Sequence, residues 1–270
     1  MSDGFLTIDG VRLEYRSLRP AAAVAGSPVL MLLHEGLGCV GMWRHFPERL
    51  AEGTRCAVFA WSRAGYGRSD PVPLPRPLDY HERETAMLPK VLAAAGIGRH
   101  LLIGHSDGGT IALLAAAARS PRPAQAIVTM AAHVFVEEVS IAGIIEARHG
   151  WEHGDLRPRL ERWHDGNVEC AFLGWCDTWL DPRFRDWNIE HRLRDVRVPA
   201  LVMQGAQDHY GTPAQVEAIA GGVAGPVRTL MIDGAGHAPH LEKPEAVIAA
   251  IAAFLAALPP AGAAADAGGD

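Results

Sequence analysis

The stretch Leu101-Leu102-Ile103-Gly104-His105-Ser106-Asp107-Gly108 decides how this chain is read. Three apolar residues make a short buried strand, and the run that follows the turn, Asp107 to Ser120, is rich in alanine and apolar nearly all round, as expected of a helix buried against a sheet. Between them Gly104 to Gly108 spells G-x-S-x-G. A strand passing this abruptly into a helix strains the backbone at the corner and brings neighbouring chain close, so small residues are required on both sides. Ser106 is left with an accessible hydroxyl at a helix N-terminus.

Outward from this turn the chain repeats the same grammar. Short, continuously apolar runs at Val29 to Leu33, Ala57 to Trp61, Ala126 to Met130, Leu201 to Met203 and Arg228 to Ile232 alternate with helical periods, which predicts parallel strands buried on both faces and flanked by helices. Phe5 to Ile8 and Val11 to Tyr15 flank Asp9-Gly10, a hairpin signal that gives the sheet an antiparallel edge. Val247, Ile248, Ile251, Phe254, Leu255 and Leu258 follow Pro244-Glu245 at steps of three and four and precede Pro259-Pro260, which reads as a terminal amphipathic helix. The alternation breaks between about His133 and His191, where no buried strand is evident and five of the seven tryptophans lie: Trp151, Trp163, Trp175, Trp179 and Trp187. The expected organisation is an α/β core of residues 1–132 and 192–260, a helical lid of 133–191 over the carboxyl edge of the sheet, and a disordered tail of 261–270.

The 270 residues suffice for one large domain with a full core. A composition 49% hydrophobic and 21% charged is that of an ordinary globular protein. The formal charge of −6 is spread without a basic block, which argues against nucleic acid as a ligand. Cys39, Cys56, Cys170 and Cys176 follow no zinc or C-x-x-C spacing and read as free thiols in a reducing compartment. No secretory leader and no membrane-length apolar run is evident, so the expected location is cytoplasmic, with no membrane partner.

A serine hydroxyl becomes a useful nucleophile only when a neighbouring base takes its proton, and the base needs a carboxylate to hold its tautomer. Of thirteen histidines, His237 and His240 come late enough to follow both the nucleophile and a late acid. His237 sits in Gly234-Ala235-Gly236-His237, at the carboxyl end of the last strand, and is the expected base; His240 lies close to the start of a helix. Asp208 follows the strand Leu201 to Met203 at its carboxyl end and is the expected acid, with Asp233 as the alternative. Two backbone donors are needed for a developing oxyanion: Asp107, directly after the nucleophile, and Gly36 in His34-Glu35-Gly36-Leu37-Gly38. The Asp107 side chain itself reads as an N-cap or first-turn carboxylate favoured by the helix dipole.

With these residues in place the chain resembles the α/β-hydrolase superfamily over about Val11 to Leu258. The resemblance rests on the elbow Gly104 to Gly108, the loop His34 to Gly38, Ser62 to Ser69 after the next strand, Asp208 and Gly236-His237. It implies a mostly parallel sheet of about eight strands with a lid after the sixth, and a triad in the order Ser106, Asp208, His237. Two departures stand out: Glu35 interrupts a His-Gly pair at the oxyanion loop, and an aspartate rather than a small or apolar residue follows the nucleophile.

Other patterns carry less. His149-Gly150-Trp151-Glu152-His153 fits H-x-x-E-H, but Gly150 and Gly154 argue against a helix and no third ligand is suggested, so neither a metal nor a cofactor is expected. Arg157, Arg159 and Arg162, interleaved with Glu152, Asp155, Glu161 and Asp165, read as a solvated helix face. The expected function is a serine hydrolase acting on a small-molecule substrate, first of all a carboxylic ester with an apolar or aromatic group. The same residues could cleave a C–C bond or a lactone, and a non-catalytic receptor on the same fold would not need the complete set. A dehalogenase or epoxide hydrolase would be expected to carry aspartate in place of Ser106.

Overall fold

The computed structural model describes residues 2–259, so the expected tail of 261–270 lies outside the described residues. Strands β1 (Ser2–Ile8) and β2 (Val11–Leu18) form the expected hairpin. Asp9 and Gly10 at its tip both have positive φ, 51° and 83°, the sign that a two-residue hairpin turn matched to strand twist requires. Then follow β3 (Val29–Leu33), α1 (Phe46–Thr54), β4 (Val58–Trp61), α2 (Tyr80–Ala94), β5 (His100–His105), α3 (Asp107–Ala117) and β6 (Ile127–Met130). Helices α4 (Glu138–His153), α5 (Leu156–His164), α6 (Val168–Leu180) and α7 (Glu190–Leu193) come next, before β7 (Ala200–Gly205), α8 (Pro213–Gly222), β8 (Val227–Ile232), α9 (Pro239–Glu242) and α10 (Pro244–Ala256).

The eight strands form one sheet in the order β1-β2-β4-β3-β5-β6-β7-β8. β2 runs antiparallel to both its neighbours, and β3 to β8 are parallel. Because side chains alternate along a strand, β3 sends Leu30 and Leu32 to one face and Met31 and Leu33 to the other. The first pair packs with Leu101, Ile103 and the α1 and α10 residues Leu50, Val247 and Ile251. The second packs with Leu102 and with Val91, Ile111 and Val216 from α2, α3 and α8. This two-sided burial is why the strands read as continuous apolar runs.

All of the parallel strands point their carboxyl ends the same way, so the loops after β3, β5, β7 and β8 gather at one edge. Helices α4 to α7 lie between β6 and β7; α4, α5 and α6 share an aromatic and aliphatic cluster with Phe172, Trp175, Trp179 and Phe184, while Leu193 of α7 packs into the core on one face of the sheet. The two ends of this segment meet: Phe135 and Asn188 form an antiparallel bridge, and the Ile189 amide donates to the Val134 carbonyl at 2.7 Å. Two local expectations are corrected. Helix α3 stops at Ala117 and not Ser120: Ala118 is already extended, and Pro121 disfavours helix at Ser120 just before it. Helix α4 continues through Gly150 to His153; its packing against α5 and α6 outweighs the poor propensity of glycine.

Candidate active site

Ser106 occupies the corner between β5 and α3 with φ 51° and ψ −119°, a conformation that side chains rarely adopt. Its amide donates to the Met130 carbonyl at 2.8 Å, and its own carbonyl accepts from the Gly109 and Thr110 amides. The flanking glycines are dictated by space. A Cβ on Gly104 would come within 2.1 Å of the Gly108 oxygen, and one on Gly108 within 2.0 Å of the Leu33 oxygen.

The loops after β7 and β8 bring two further side chains to this corner. His237 Nε2 lies 3.0 Å from Ser106 Oγ, and His237 Nδ1 lies 2.9 Å from Asp208 Oδ1 and 3.0 Å from Oδ2. A carboxylate can only accept, so Nδ1 carries the proton and Nε2 faces the serine hydroxyl as an acceptor. The Tyr210 amide donates to Asp208 Oδ1 at 2.8 Å and fixes the carboxylate from behind. Burial, only partly offset by Asp208 and reinforced by His105 and His133, lowers the His237 pKa to about 4, which keeps the ring neutral near pH 7. Burial pushes Asp208 the other way, but its contact with His237 leaves it below the ordinary carboxylate value. Glu242 braces the histidine loop by accepting from the Gly236 and Ala238 amides at 2.7 and 3.1 Å.

The two alternatives lie elsewhere. Asp233 is exposed at the end of β8, and among the described residues it makes no side-chain hydrogen bond to a histidine. His240 is buried among Trp43, Phe46 and His105, with ring centroids 4.8, 5.3 and 4.6 Å away.

On the other side of Ser106 stands the loop after β3. Arg63, buried beneath it, donates to the His34 and Glu35 carbonyls at 2.7 and 3.0 Å, while its amide donates to His34 Nε2 at 3.0 Å. Gly36 faces the cavity under Trp175, whose Cδ1 would lie 2.2 Å from a Cβ at that position. The Asp107 amide opens α3, ahead of the first intrahelical bond, where a helix leaves its N–H groups free. Gly36, Ser106 and Asp107 all line the same cavity.

The Asp107 side chain does more than a first-turn carboxylate. It is buried, accepts from Tyr80 Oη at 2.7 Å, and lies 3.3 Å from His81 Nε2 and 3.9 Å from Arg63 Nη2. Burial opposes its ionisation, yet His81, Arg63 and Tyr80 hold it well below the usual carboxylate range. Tyr80 in turn accepts from Trp179 Nε1 at 2.9 Å, so a hydrogen-bonded chain joins α6 to the residue after the serine. The sequence offered no pattern for this: Tyr80 and His81 are 27 and 26 positions from Asp107, on a helix whose apolar periodicity is weak.

Ser106 and His237 open into a cavity of about 570 Å³. Leu37, Met42, Ile144 and Leu160 line its walls, with Trp163, Trp175 and Trp179. Trp151 and Trp187 are not among the lining residues; they stack on Phe172 and Phe184 at 4.2 and 5.2 Å between centroids. His149 and His153 meet edge to face along α4 with centroids 4.9 Å apart, and among the described residues no group of three or more His, Cys, Asp and Glu is arranged to hold a metal ion.

A family model described as the alpha/beta hydrolase family matches residues 30–250. The chain is 31% identical to the human serine hydrolase BPHL over 159 residues, covering 56% of this chain and 53% of that protein, so the match spans about half the length of the relative. Among solved structures, proline iminopeptidase from Mycobacterium smegmatis superposes with a TM-score of 0.74 at 22% identity, covering 94% of this chain and 98% of the other. The enol-lactonase from Burkholderia xenovorans LB400 superposes with a TM-score of 0.72 at 21% identity, covering 94% and 100%. At such identities these two likenesses concern the fold.

Proposed function

The chain belongs to the α/β hydrolase family, and from that premise we propose that it is a serine hydrolase cleaving carboxylic esters through Ser106, His237 and Asp208. The observation that carries this reading is the unbroken line Ser106 Oγ, His237 Nε2, His237 Nδ1, Asp208, with separations of 3.0 and 2.9 Å, on a cavity lined by apolar side chains. Neutral His237 takes the Ser106 proton as Oγ bonds to the ester carbonyl carbon, and the carbonyl oxygen becomes an oxyanion between the Gly36 and Asp107 amides. Collapse expels the alcohol, which leaves with the proton from His237, and an acyl-serine remains. Water then repeats the sequence, giving up a proton to His237, and releases the acid with Ser106 restored.

In this reading α4 to α7 act as a lid, and Trp163, Trp175 and Trp179 give the acyl or alcohol group an apolar surface. No helix among the described residues is long and apolar enough to cross a membrane, and the four cysteines are buried free thiols, in keeping with a reducing, cytoplasmic setting. The test is Ser106→Ala assayed on p-nitrophenyl esters, together with fluorophosphonate labelling of the wild type. The expected outcome is a loss of about 10⁴-fold or more with the melting temperature retained, and a label on Ser106 alone. Near-normal hydrolysis by the alanine variant would overturn the assignment.

A further inference from the structure

The cavity is apolar within and cationic at its mouth. Of the residues that line it, the exposed ones include Arg44, Arg159 and Arg162, with Trp163 and Leu241 beside them. Arg159 and Arg162 come from α5 and Arg44 from the loop before α1, so two separate elements deliver the charge to one opening. The pattern of α5 in sequence suggests a solvated face, and Arg159 and Arg162 are exposed as expected; the fold also places both of them on the lining of the cavity.

The partners of these charges are uneven. The acidic groups lining the cavity are already engaged: Glu35 lies 3.3 Å from His105 Nδ1, and Asp107 is held by Tyr80, His81 and Arg63. Among the described residues Arg44 and Arg162 form no ion pair, and Arg159 has only Asp155 at 3.7 Å, with both side chains mostly in solvent. A second observation is independent of charge. Arg44 has φ 51° and ψ −123°, a region normally left to glycine, and such strain concentrates at ligand clamps. On a chain of net charge −6, three cations around one apolar opening form a local exception that would draw in anions.

Resting on the serine hydrolase reading, we infer that the substrate is an amphiphilic ester whose apolar body fills the cavity and whose far end carries an anionic group, carboxylate or phosphate, held by Arg44, Arg159 and Arg162. The scissile carbonyl sits at Ser106 and the anion stays at the mouth. Desolvating it inside would cost far more than the arginines return, whereas at the mouth it keeps its water.

The test compares p-nitrophenyl half-esters of adipic and sebacic acid, the far carboxyl either free or methylated. At low salt the free acid is expected to have about tenfold the kcat/KM of its methyl ester, each exposed pair contributing up to about fivefold. The ratio should fall toward one near 1 M salt, where the screening length is about 3 Å. The double variant Arg44→Gln, Arg162→Gln should lower the ratio, and Arg119→Gln, an exposed arginine outside the cavity, should leave it in place; a ratio taken within one protein is insensitive to the fraction folded. A phosphate-ended analogue assigns the anion: preference for it over the carboxylate marks a phosphate ester, and the reverse a dicarboxylic half-ester, either of which supports the inference. A low-salt ratio of one or less, or one unchanged in the double variant, overturns it. Calorimetry on Ser106→Ala protein with the same esters separates this from the catalytic reading. Binding of the free acid about tenfold more tightly than the methyl ester supports the cationic mouth whatever Ser106 does, and equal or absent binding of the two refutes it.

Discussion

At the elbow, the atoms that fix Ser106 are backbone: the Gly108 and Leu33 oxygens stand within 2.1 Å of where a Cβ on Gly104 or Gly108 would be. Across the cavity, α4 to α7 are held by side chains, with Trp151 flat on Phe172 at 4.2 Å and Phe184 on Trp187 at 5.2 Å. Backbone contacts offer no intermediate adjustment, because a peptide oxygen cannot be repacked. Ring contacts can be traded for others of similar volume at a cost usually under about 1.5 kcal/mol. Ser106 is thus placed by the rigid part of the molecule and the space around it is shaped by the adaptable part. Substitutions in the two regions should differ accordingly in kind as well as size.

The largest effect is expected where the rigid region supplies its carboxylate. Asp208→Asn favours the wrong tautomer of His237 and should lower kcat by about 10⁴-fold, while Asp233→Asn, at an exposed position, should alter mainly stability. Steady-state kinetics on both variants decide the matter, and the opposite ranking would move the acid along the chain.

In the adaptable region the expected losses are smaller and selective. Trp163→Ala, Trp175→Ala and Trp179→Ala remove apolar area from the cavity and should cost long acyl esters about 1–3 kcal/mol in kcat/KM, roughly 5- to 150-fold, while acetate esters change little. Trp151→Ala, which is absent from the cavity, should instead lower the melting temperature and affect long and short esters alike. If the other three variants behave like Trp151→Ala, the rings only hold the helices together and the contrast between the regions dissolves.

The smallest expected change is with pH. A base must be neutral to accept a proton, and His237, lowered to about 4, stays neutral well into the acid range. On lowering the pH from 7 to about 5.5, kcat/KM should therefore stay nearly constant and fall only as the pH passes through about 4. A histidine at the ordinary value near 6.5 would already have lost about tenfold at pH 5.5. A midpoint near 6.5 in the pH profile would show that His237 is far more accessible to water than its burial implies.

The rigid region was also the legible one. Short apolar runs marked the buried strands, and the carboxyl ends of those strands pointed to Ser106, Asp208 and His237 as side chains that would meet. Asp208 was the expected acid with Asp233 as the alternative, since both follow a strand, and it is Asp208 that lies beside His237. What escaped the sequence arises between elements. Arg63 beneath the loop of Gly36, Tyr80 and His81 on Asp107, and Glu242 on the histidine loop are polar residues without periodicity, and their partners are set by how α2 and α9 dock. The tryptophans were conspicuous, but composition could not tell the three on the cavity from the two that only pack.

The bridge between Phe135 and Asn188, with Ile189 bonded to Val134, has a consequence for how such a molecule can change over time. A segment whose two ends are stapled side by side leaves and rejoins the sheet at one place, and its other ties to the core run through side chains such as Trp179 on Tyr80 and Asn167 on Gly67. Residues between the staples can be lengthened or shortened without altering the gap that β6 and β7 must span, and so without disturbing the register of those strands, as long as the side-chain ties to the core are kept. Loop-closure entropy grows only slowly with length, by about 0.6 kcal/mol per doubling, so even a large replacement adds little to the cost of folding. The helices over the cavity can therefore change in length at this junction at small cost, and the contacts that limit such change are the ones that reach the core, the Trp179–Tyr80–Asp107 chain among them.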